Sequence, residues 1–446
     1  MLATLIGGIM GGVMGGMMGG VMCLATTAPG PRVLDAPPAD PPPAVAPPAV
    51  APPAVARIAE TERTFGQDAA FLAKHQPGTI VLASKDGLAK IAVVPAYQGR
   101  VLTSTAGGDP GTSFGFIKYD LVESGRFVDK INPFGGEDRF WLGPEGGQFA
   151  IFFRKGQEFS LKDWQTPPAI DTEAYTVVAQ DDSSVTFEHA ASFTNYSGTA
   201  LDVKIHRVVR LLGRGDAMKD LKLPTSAEGK TDWVAYESVN TITNTGTNPW
   251  TKDTGMLSVW ILGMFKPSAD AVVAIPFRPG PESTLGPVVN DAYFGKVPSD
   301  RLKITDTALF FRADGQMRTK IGVSPRRALP TIGSYDPSRR VLTLVTYTLP
   351  GNTTDYVNSM WEHQKDPFGG DAVNSYNDGP SEPGAKPFGP FYELETSSPA
   401  AALAPGKSLT HTHRTVHIQG SKADLDPIAR AVLGIGLDEM TRAFSK

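Results

Sequence analysis

The sequence predicts an all-β fold with minor helices, built as one large antiparallel sheet protein. Short runs of apolar or alternating residues, bounded by Gly, Asp, Asn and Pro, recur along most of the chain, and this is the pattern of strands joined by turns. Long helical patterns between these runs are almost absent, which disfavours a parallel α/β arrangement. Many strands with turn signals indicate a sandwich or barrel. The 446 residues can form one large domain or two fused sandwiches.

Residues 1–23 are predicted to be an export leader. Residues 2–22 carry no charged side chain and contain a pair of glycines every four residues. This is typical of a secretory signal, although a basic segment before it is missing. Cys23 follows directly and resembles the lipidated cysteine of a bacterial lipoprotein, which predicts a periplasmic or cell-envelope protein on a lipid anchor. A membrane span is the alternative, since paired glycines let helices approach closely in lipid.

Residues 24–56 are predicted to be a linker, because their composition is dominated by Pro and Ala and P-P-A-V-A occurs three times. Such a segment buries too little to fold and is expected to extend as polyproline II, at about 3.1 Å per residue. It would act as a stalk that holds a folded domain away from a membrane. A disordered tail without a role is the alternative.

The folded domain is predicted to span residues 57–446. It begins with a helix over residues 58–75, where a short apolar stripe recurs. It ends with a helix that starts at the pair Asp426 and Pro427, stops at Gly434, and is followed by a further short turn. We expect the two C-terminal helical segments to pack on a sheet edge. The predicted strands between them are 79–83, 89–95, 100–105, 148–153, 175–179, 184–187, 201–212, 233–244, 256–265, 271–276, 308–312, 320–323 and 341–349.

Charge and cysteine content exclude several classes of protein. The chain has 42 Lys and Arg against 46 Asp and Glu, a formal charge of -4, so it lacks the basic character of a nucleic-acid-binding protein. A single cysteine excludes an intrachain disulfide and a cysteine-rich metal site. We expect a monomer without a cofactor.

Titratable residues are concentrated near the C-terminus, between Asn374 and His417. Residues 392–400 and 405–417 alternate as strands do, and the turn-forming residues 403–406 between them predict a hairpin. Glu393 and Glu395 share one strand face, and His411 and His413 share another. These four are the predicted catalytic residues, because unpaired charge is costly in a core. A solvated sheet face is the alternative.

A glycine-rich segment at residues 133–153 contains the other candidate site. It mixes glycines with Arg139, Trp141 and Glu145. Aromatic faces beside carboxylates and a guanidinium suit a sugar, which offers both hydroxyls and C–H faces. The alternative is a loop in which Arg139 pairs internally with Asp138 or Glu145. The remaining predicted ligand-binding residues are Asn377, Asp378, Trp361 and His363.

Several motifs resemble the galactose-mutarotase-like supersandwich superfamily. They are G-G-E-D-R-F-W-L-G-P-E-G-G, T-I-T-N-T-G, and E-L-E-T-S-S-P followed by P-G-K-S-L-T-H-T. N-S-Y-N-D-G-P with Y-E-L-E-T-S-S-P-A is similar to an uncharacterised bacterial family in that superfamily, with many exported members. The resemblance covers about residues 78–420 and implies a large antiparallel β-supersandwich.

The resemblance also implies sugar ring opening by a glutamate base and a histidine acid. Glu393 or Glu395 matches the base by position. No histidine lies between His206 and His363, so the acid of aldose epimerases is missing and mutarotation is in doubt. His411, His413 or His363 could substitute for it. The H-x-H spacing also occurs in the metal sites of cupins, but spacing alone is weak support and we predict no metal.

These observations predict an exported protein that interacts with carbohydrate. Its chemistry would be proton transfer by carboxylates, either epimerase-like or in glycosidic cleavage. The alternatives are a glycan-binding module without catalysis and a structural cell-envelope lipoprotein. We also expect the neighbouring Glu393 and Glu395 to raise the pKa of at least one of the two. If Arg139 reaches them, the cluster becomes a salt-bridge network and the case for function weakens.

Overall fold

The computed structural model describes residues 62–223, 230–381 and 384–445. They fall in one unit of the chain, Ala59–Lys446. The predicted leader, Cys23 and the predicted stalk lie outside the described residues and stay predictions. Within the three described ranges, no helix combines the length and the apolar character that a membrane span requires.

Strands dominate the described residues, as the alternating runs predict. They are β1 (Ile80–Ala83), β2 (Lys90–Val94), β3 (Arg100–Thr105), β4 (Arg139–Gly143), β5 (Thr176–Gln180), β6 (Ser184–Thr194), β7 (Ala200–Leu212), β8 (Asp232–Asn244), β9 (Ser258–Phe265), β10 (Val272–Pro276), β11 (Leu302–Ile304), β12 (Ala308–Arg312), β13 (Thr319–Val323), β14 (Thr331–Asp336), β15 (Val341–Tyr347), β16 (Val373–Asn377), β17 (Tyr392–Ser397) and β18 (Ser408–Gln419). The prediction missed β4, β11, β14 and β16. Residues 148–153, predicted as a strand, form turns and bends instead.

Helices are short, and three of the six α-helices in the described residues lie near the ends of the described chain. They are α1 (Phe65–His75), α2 (Tyr119–Ser124), α3 (Arg214–Asp220), α4 (Glu282–Leu285), α5 (Lys422–Leu433) and α6 (Leu437–Arg442). Helix α1 begins after Thr64, whose hydroxyl accepts from Gln67 N in a capping box. The prediction of Asp426 as an N-cap is wrong, because Ser421 caps α5 five residues earlier and Pro427 lies inside the helix. Gly434 ends α5 in the left-handed conformation, as predicted.

The strands form three sheets in which every pairing is antiparallel. The largest has ten strands in the order β11-β12-β10-β14-β15-β18-β8-β7-β6-β5, the second has five in the order β13-β16-β17-β9-β4, and the third is β1-β2-β3. The prediction of an all-β, antiparallel fold with minor helices is therefore confirmed.

The predicted hairpin between residues 392–400 and 405–417 is wrong. Strand β17 pairs with β16 and β9 in the five-stranded sheet. Strand β18 pairs with β15 and β8 in the ten-stranded sheet. The turn between them carries the chain from one sheet to the other, and each strand is already paired on both of its edges, so neither has an edge free for the other.

The core lies between the five-stranded and ten-stranded sheets. Ile321, Val373 and Leu394 of the smaller sheet pack with Ile332 and Val345 of the larger one. The opposite face of the ten-stranded sheet is covered by α3, α5 and α6. The terminal helices thus pack on a sheet face rather than on the predicted edge, since their apolar stripes need a broad apolar surface.

Candidate functional site

The five-stranded sheet has one apolar face in the core and one outer face rich in charge. Leu394 and Thr396 of β17 point into the core, so Glu393 and Glu395 point outward, as the strand period requires. The antiparallel register lays neighbouring strands beside them: Glu393 is opposite Tyr376, which is opposite Lys320. The sheet therefore gathers on one surface residues that are distant in sequence.

Two buried ion pairs hold the two glutamates. Arg139 Nη2 lies 2.8 Å from Glu393 Oε1, with side chains 4 % and 6 % exposed. Lys320 Nζ lies 2.8 Å from Glu395 Oε2, which also accepts from Trp260 Nε1 at 2.9 Å. Arg139 thus pairs with Glu393 and not with Asp138 or Glu145. Each of the two carboxylates, Glu393 and Glu395, has a basic side chain as its partner.

Four tryptophans and a phenylalanine surround these ion pairs. The Trp141 ring packs edge-on against Trp260, with centroids 5.5 Å apart, and Phe152 stacks on Trp164 at 6.0 Å. Trp164 in turn stacks on Trp361 at 5.8 Å. The Arg139 guanidinium carbon lies 4.3 Å from the centre of the Trp141 ring. Charged groups and flat aromatic surfaces are thus held side by side.

Two adjoining cavities open over this surface. The inner cavity, about 70 Å³, is lined by Arg139, Trp141, Glu145, Lys320 and Glu393 among others. The outer cavity, about 550 Å³, is lined by residues of α2 and of the loops around it. The two share the lining residues Ile131, Pro133, Leu161, Trp164, Arg318 and Phe388. A narrow charged recess therefore continues into a wider groove.

Burial changes the acidity of two carboxyl groups that line the inner cavity. Burial raises the pKa of Glu393 to about 7, against the opposing effect of the Arg139 guanidinium. Burial also raises the pKa of Glu145, against Lys320, Arg318 and a hydrogen bond from Trp361. The carboxyl group of Glu393 is thus suited to exchange a proton near neutral pH.

The inner cavity is bordered by N–H groups that have no acceptor in the described part of the chain. They are Arg139 Nε, Trp141 Nε1, Trp164 Nε1 and Arg318 Nε. Arg139, Trp141 and Trp164 are each no more than 4 % exposed. A buried donor without a partner is costly, so these groups indicate a place where a polar ligand binds.

The structure places His411 and His413 away from this surface. Both are fully buried between the two sheets, where Thr396 Oγ1 lies 2.9 Å from His411 Nε2 and 2.8 Å from His413 Nδ1. Thr396 belongs to the core face of β17, the face opposite to Glu393. Burial lowers the pKa of His411 to about 3 and that of His413 to about 4. Neither histidine lines either cavity, and their environment keeps them neutral.

The other predicted ligand-binding residues are divided between the site and its surroundings. Trp361 lines the inner cavity with Arg139, Trp141 and Glu145. Asn377 is buried and binds the backbone at Gly315 and Met317. Asp378 accepts from Tyr376 and from Gly389 N, and burial raises its pKa to about 6. His363 is exposed and packs against Phe159 and Tyr196.

Sequence reasoning missed several residues of the site, above all Arg318, Lys320, Trp164 and Trp260. Lys320 begins the predicted strand 320–323, and a lysine among the apolar residues of a buried strand was a signal that could have drawn attention to it. Trp164 and Arg318 lie in loop segments, and only the folded chain shows that both border the cavities.

A metal does not explain the clustered histidines. Across the described ranges, no three His, Cys, Asp or Glu side chains form a group that could hold a metal ion. His411 and His413 share a hydroxyl partner instead. A third histidine, His417, lies 3.0 Å from buried Glu137 and 2.9 Å from Thr343 Oγ1.

Comparison with known proteins gives distant structural likenesses. Slr1438 protein from Synechocystis has a TM-score of 0.45 and 13 % identity, over 77 % of this chain and 96 % of that chain. A galactose mutarotase-like protein from Lactobacillus casei has a TM-score of 0.42 and 10 % identity, over 77 % of this chain and 100 % of that chain. A galactose mutarotase related enzyme from Lactobacillus acidophilus has a TM-score of 0.41 and 9 % identity, over 76 % of this chain and 97 % of that chain.

Sequence comparison assigns the family. No curated protein matches the chain. A model of a family of unknown function (DUF6786) matches residues 63–444, nearly the whole described part of the chain. The chain therefore belongs to this family of unknown function, DUF6786.

Proposed function

We propose that the chain binds a carbohydrate in the inner and outer cavities. The observation that carries this proposal is the combination, on one surface, of aromatic rings with buried N–H donors that lack acceptors. Trp141, Trp164 and Trp361 line the inner cavity and provide an aromatic wall for the C–H surfaces of a sugar ring, while Arg139 offers a donor to its oxygens. Cavities that remain open favour this role over a purely structural one.

Proton-transfer chemistry on the bound sugar is the second candidate function. Glu393 and Glu145 line the same cavity, and burial raises the pKa of both. One carboxylate would take a proton from a sugar hydroxyl, and the other, as a carboxylic acid, would donate one. This pairing supports epimerase-like or cleavage chemistry without a histidine. A glycan-binding module is the same site without this step.

A glycan array on the full-length protein, followed by proton NMR of each sugar that binds, tests both functions. We expect selective binding, and anomer exchange or cleavage if the carboxyl groups are catalytic. Trp361→Ala should weaken binding severalfold, whereas Trp361→Phe, which keeps a ring in the cavity, should retain most of it. Binding that is absent from every glycan, or unchanged in Trp361→Ala, would contradict the proposal.

We also propose that the protein is exported and anchored through a lipid on Cys23. The support is the uncharged leader that ends at this cysteine and the Pro/Ala segment that follows it. In a bacterial host, a palmitate analogue should label the wild-type protein and leave Cys23→Ser unlabelled. Equal labelling of the two proteins would remove the lipid anchor from the proposal.

A further inference from the structure

Arg318 differs from Arg139 and Lys320, the other two cations of the inner cavity, in having no carboxylate partner among the described residues. Arg139 and Lys320 each form an ion pair at 2.8 Å. Arg318 forms none with any described residue, and its Nε is buried without an acceptor. Its guanidinium carbon lies 4.0 Å from the centre of the Phe294 ring, a cation–π contact. Arg318 lines both cavities and so lies at their junction.

The unsatisfied polar atoms that border the cavities are all donors. Within the described ranges they are the four N–H groups of Arg139, Trp141, Trp164 and Arg318, and no buried acceptor that lines either cavity lacks a donor. Glu395 Oε1 is an unpartnered acceptor nearby, but Glu395 lines neither cavity. A neutral sugar brings donors and acceptors together, whereas an anionic group brings acceptors alone. The excess of donors therefore favours an anionic ligand.

The charges along the cavities also favour an anionic ligand. The basic side chains that line them are Lys118, Lys130, Arg139, Arg318, Lys320 and Lys386, and the acidic ones are Asp120, Asp129, Glu145 and Glu393. Six cations thus face four carboxyl groups. The protein as a whole carries a formal charge of -4, so the positive balance is local to this cleft and attracts anions there.

We propose that the carbohydrate bound here carries an anionic group that Arg318 holds at the junction of the two cavities. This inference rests on the proposed carbohydrate function and narrows it to acidic sugars. A carboxylate, a phosphate or a sulfate presents the planar or forked oxygens that a guanidinium binds through two parallel hydrogen bonds. The attached ring would lie against the tryptophans of the inner cavity, and further sugar units would continue into the outer cavity.

The test compares acidic and neutral sugars on the full-length protein by titration calorimetry. The probes are tetragalacturonate, its neutral methyl ester, a sulfated tetrasaccharide, glucose 6-phosphate and inorganic phosphate. We expect at least one acidic sugar to bind at least tenfold more tightly than a neutral sugar of equal length. Its affinity should fall with rising salt. The three acidic sugars distinguish a uronate, a sulfate and a phosphate as the source of the anion.

Arg318→Gln should weaken binding of that acidic sugar about ten- to hundredfold, because a charge-assisted hydrogen bond is lost. Binding of the neutral sugar should change less than threefold. Lys303→Gln, on exposed strand β11 and outside both cavities, removes the same charge and should change neither. Melting temperatures of both variants check that each protein is folded.

Four results would overturn the inference. One is equal affinity for acidic and neutral sugars, and another is an equal loss of affinity for the two kinds of sugar in Arg318→Gln. Either result would leave the carbohydrate proposal intact and contradict the proposal that the ligand carries an anionic group. Binding of inorganic phosphate as tightly as of any sugar would show an anion site without sugar recognition. A folded wild-type protein that binds none of the probes would remove the anionic group, and binding of a neutral sugar on the glycan array would then leave the carbohydrate proposal standing.

Discussion

Arg139 and Glu393 are 254 residues apart in sequence, yet Arg139 Nη2 donates a 2.8 Å hydrogen bond to Glu393 Oε1 on the outer face of the five-stranded sheet. Their strands, β4 and β17, are separated by β9, which pairs with both. The pair therefore ties three strands together across the site. It also places a fixed cation beside a carboxyl group whose pKa burial raises to about 7.

Removing Arg139 should destabilise the fold by an amount that depends on pH. Arg139→Met leaves the Glu393 carboxylate buried without its cation, which typically costs about 3–5 kcal/mol. The loss should be smaller at pH 5 than at pH 8, because Glu393 can be protonated at pH 5. Urea unfolding at both pH values measures it. Arg139→Met combined with Glu393→Leu should recover much of the stability, and a double variant as unstable as the single one would contradict this account.

Glu393 should make the protein less stable as pH rises from about 4.5 to about 7. Its pKa is raised from 4.5 to about 7 by burial, so the folded state holds a proton in this range that the unfolded state releases. The free energy of unfolding should fall by up to about 3 kcal/mol across it. Glu393→Gln should remove this part of the slope. Parallel curves for Glu393→Gln and the wild type would exclude the raised pKa.

His411 and His413 should have the opposite effect on stability. Burial lowers their pKa values from 6.5 to about 3 and about 4, so the unfolded chain takes up protons that the folded protein refuses. Stability should therefore fall as pH decreases below about 6.5. His413→Gln should flatten this acid-side slope without affecting ligand binding. If a folded His413→Gln protein lost ligand binding, His413 would have a role in the candidate site and this prediction would be wrong.

Isosteric changes of Glu393 and Glu395 should impair function without preventing folding. In Glu393→Gln and Glu395→Gln the amide oxygen can still accept from Arg139, or from Lys320 and Trp260, so both proteins should fold. At least one should lose sugar binding or turnover by tenfold or more. Circular dichroism and calorimetry measure the two effects. If both variants unfold and the wild type binds no sugar, the cluster is structural.

The Pro/Ala segment should contribute nothing to the stability of the domain. A chain cut before Arg57 keeps every described strand and helix, so its melting temperature should stay within about 2 °C of the full-length value. Differential scanning calorimetry of the two proteins checks this. A drop of more than about 5 °C would show that the segment packs on the domain.

Much of the fold could be predicted because its strands obey a local rule. Residues that alternate between the two sides of a strand, with turn residues at its ends, show themselves in sequence. The run 201–212 alternates between buried and more exposed residues, and it matches β7 (Ala200–Leu212) to within one residue. Strand β4 was missed because its residues are buried on both faces and follow a glycine-rich segment, so they do not alternate.

The candidate site was predicted only in part, for a related reason. Alternation correctly places Glu393 and Glu395 on one face of β17, and the glycine-rich segment correctly draws attention to Arg139, Trp141 and Glu145, all three of which line the inner cavity. Trp164 and Arg318 come from loops, where no periodic pattern records which way a side chain points.

By itself, the sequence determined the β class, the face that Glu393 and Glu395 share on β17 and the density of charge near the C-terminus. Only the tertiary structure decided which strands are neighbours. Alternation assigns a side chain to one face of its strand but does not identify what that face packs against. Thr396 and Glu395, for example, are adjacent in sequence but lie in different environments. Thr396 meets His411 in the core, while Glu395 meets Lys320 beside the cavity. Long-range packing, which buries the most apolar surface, made that division.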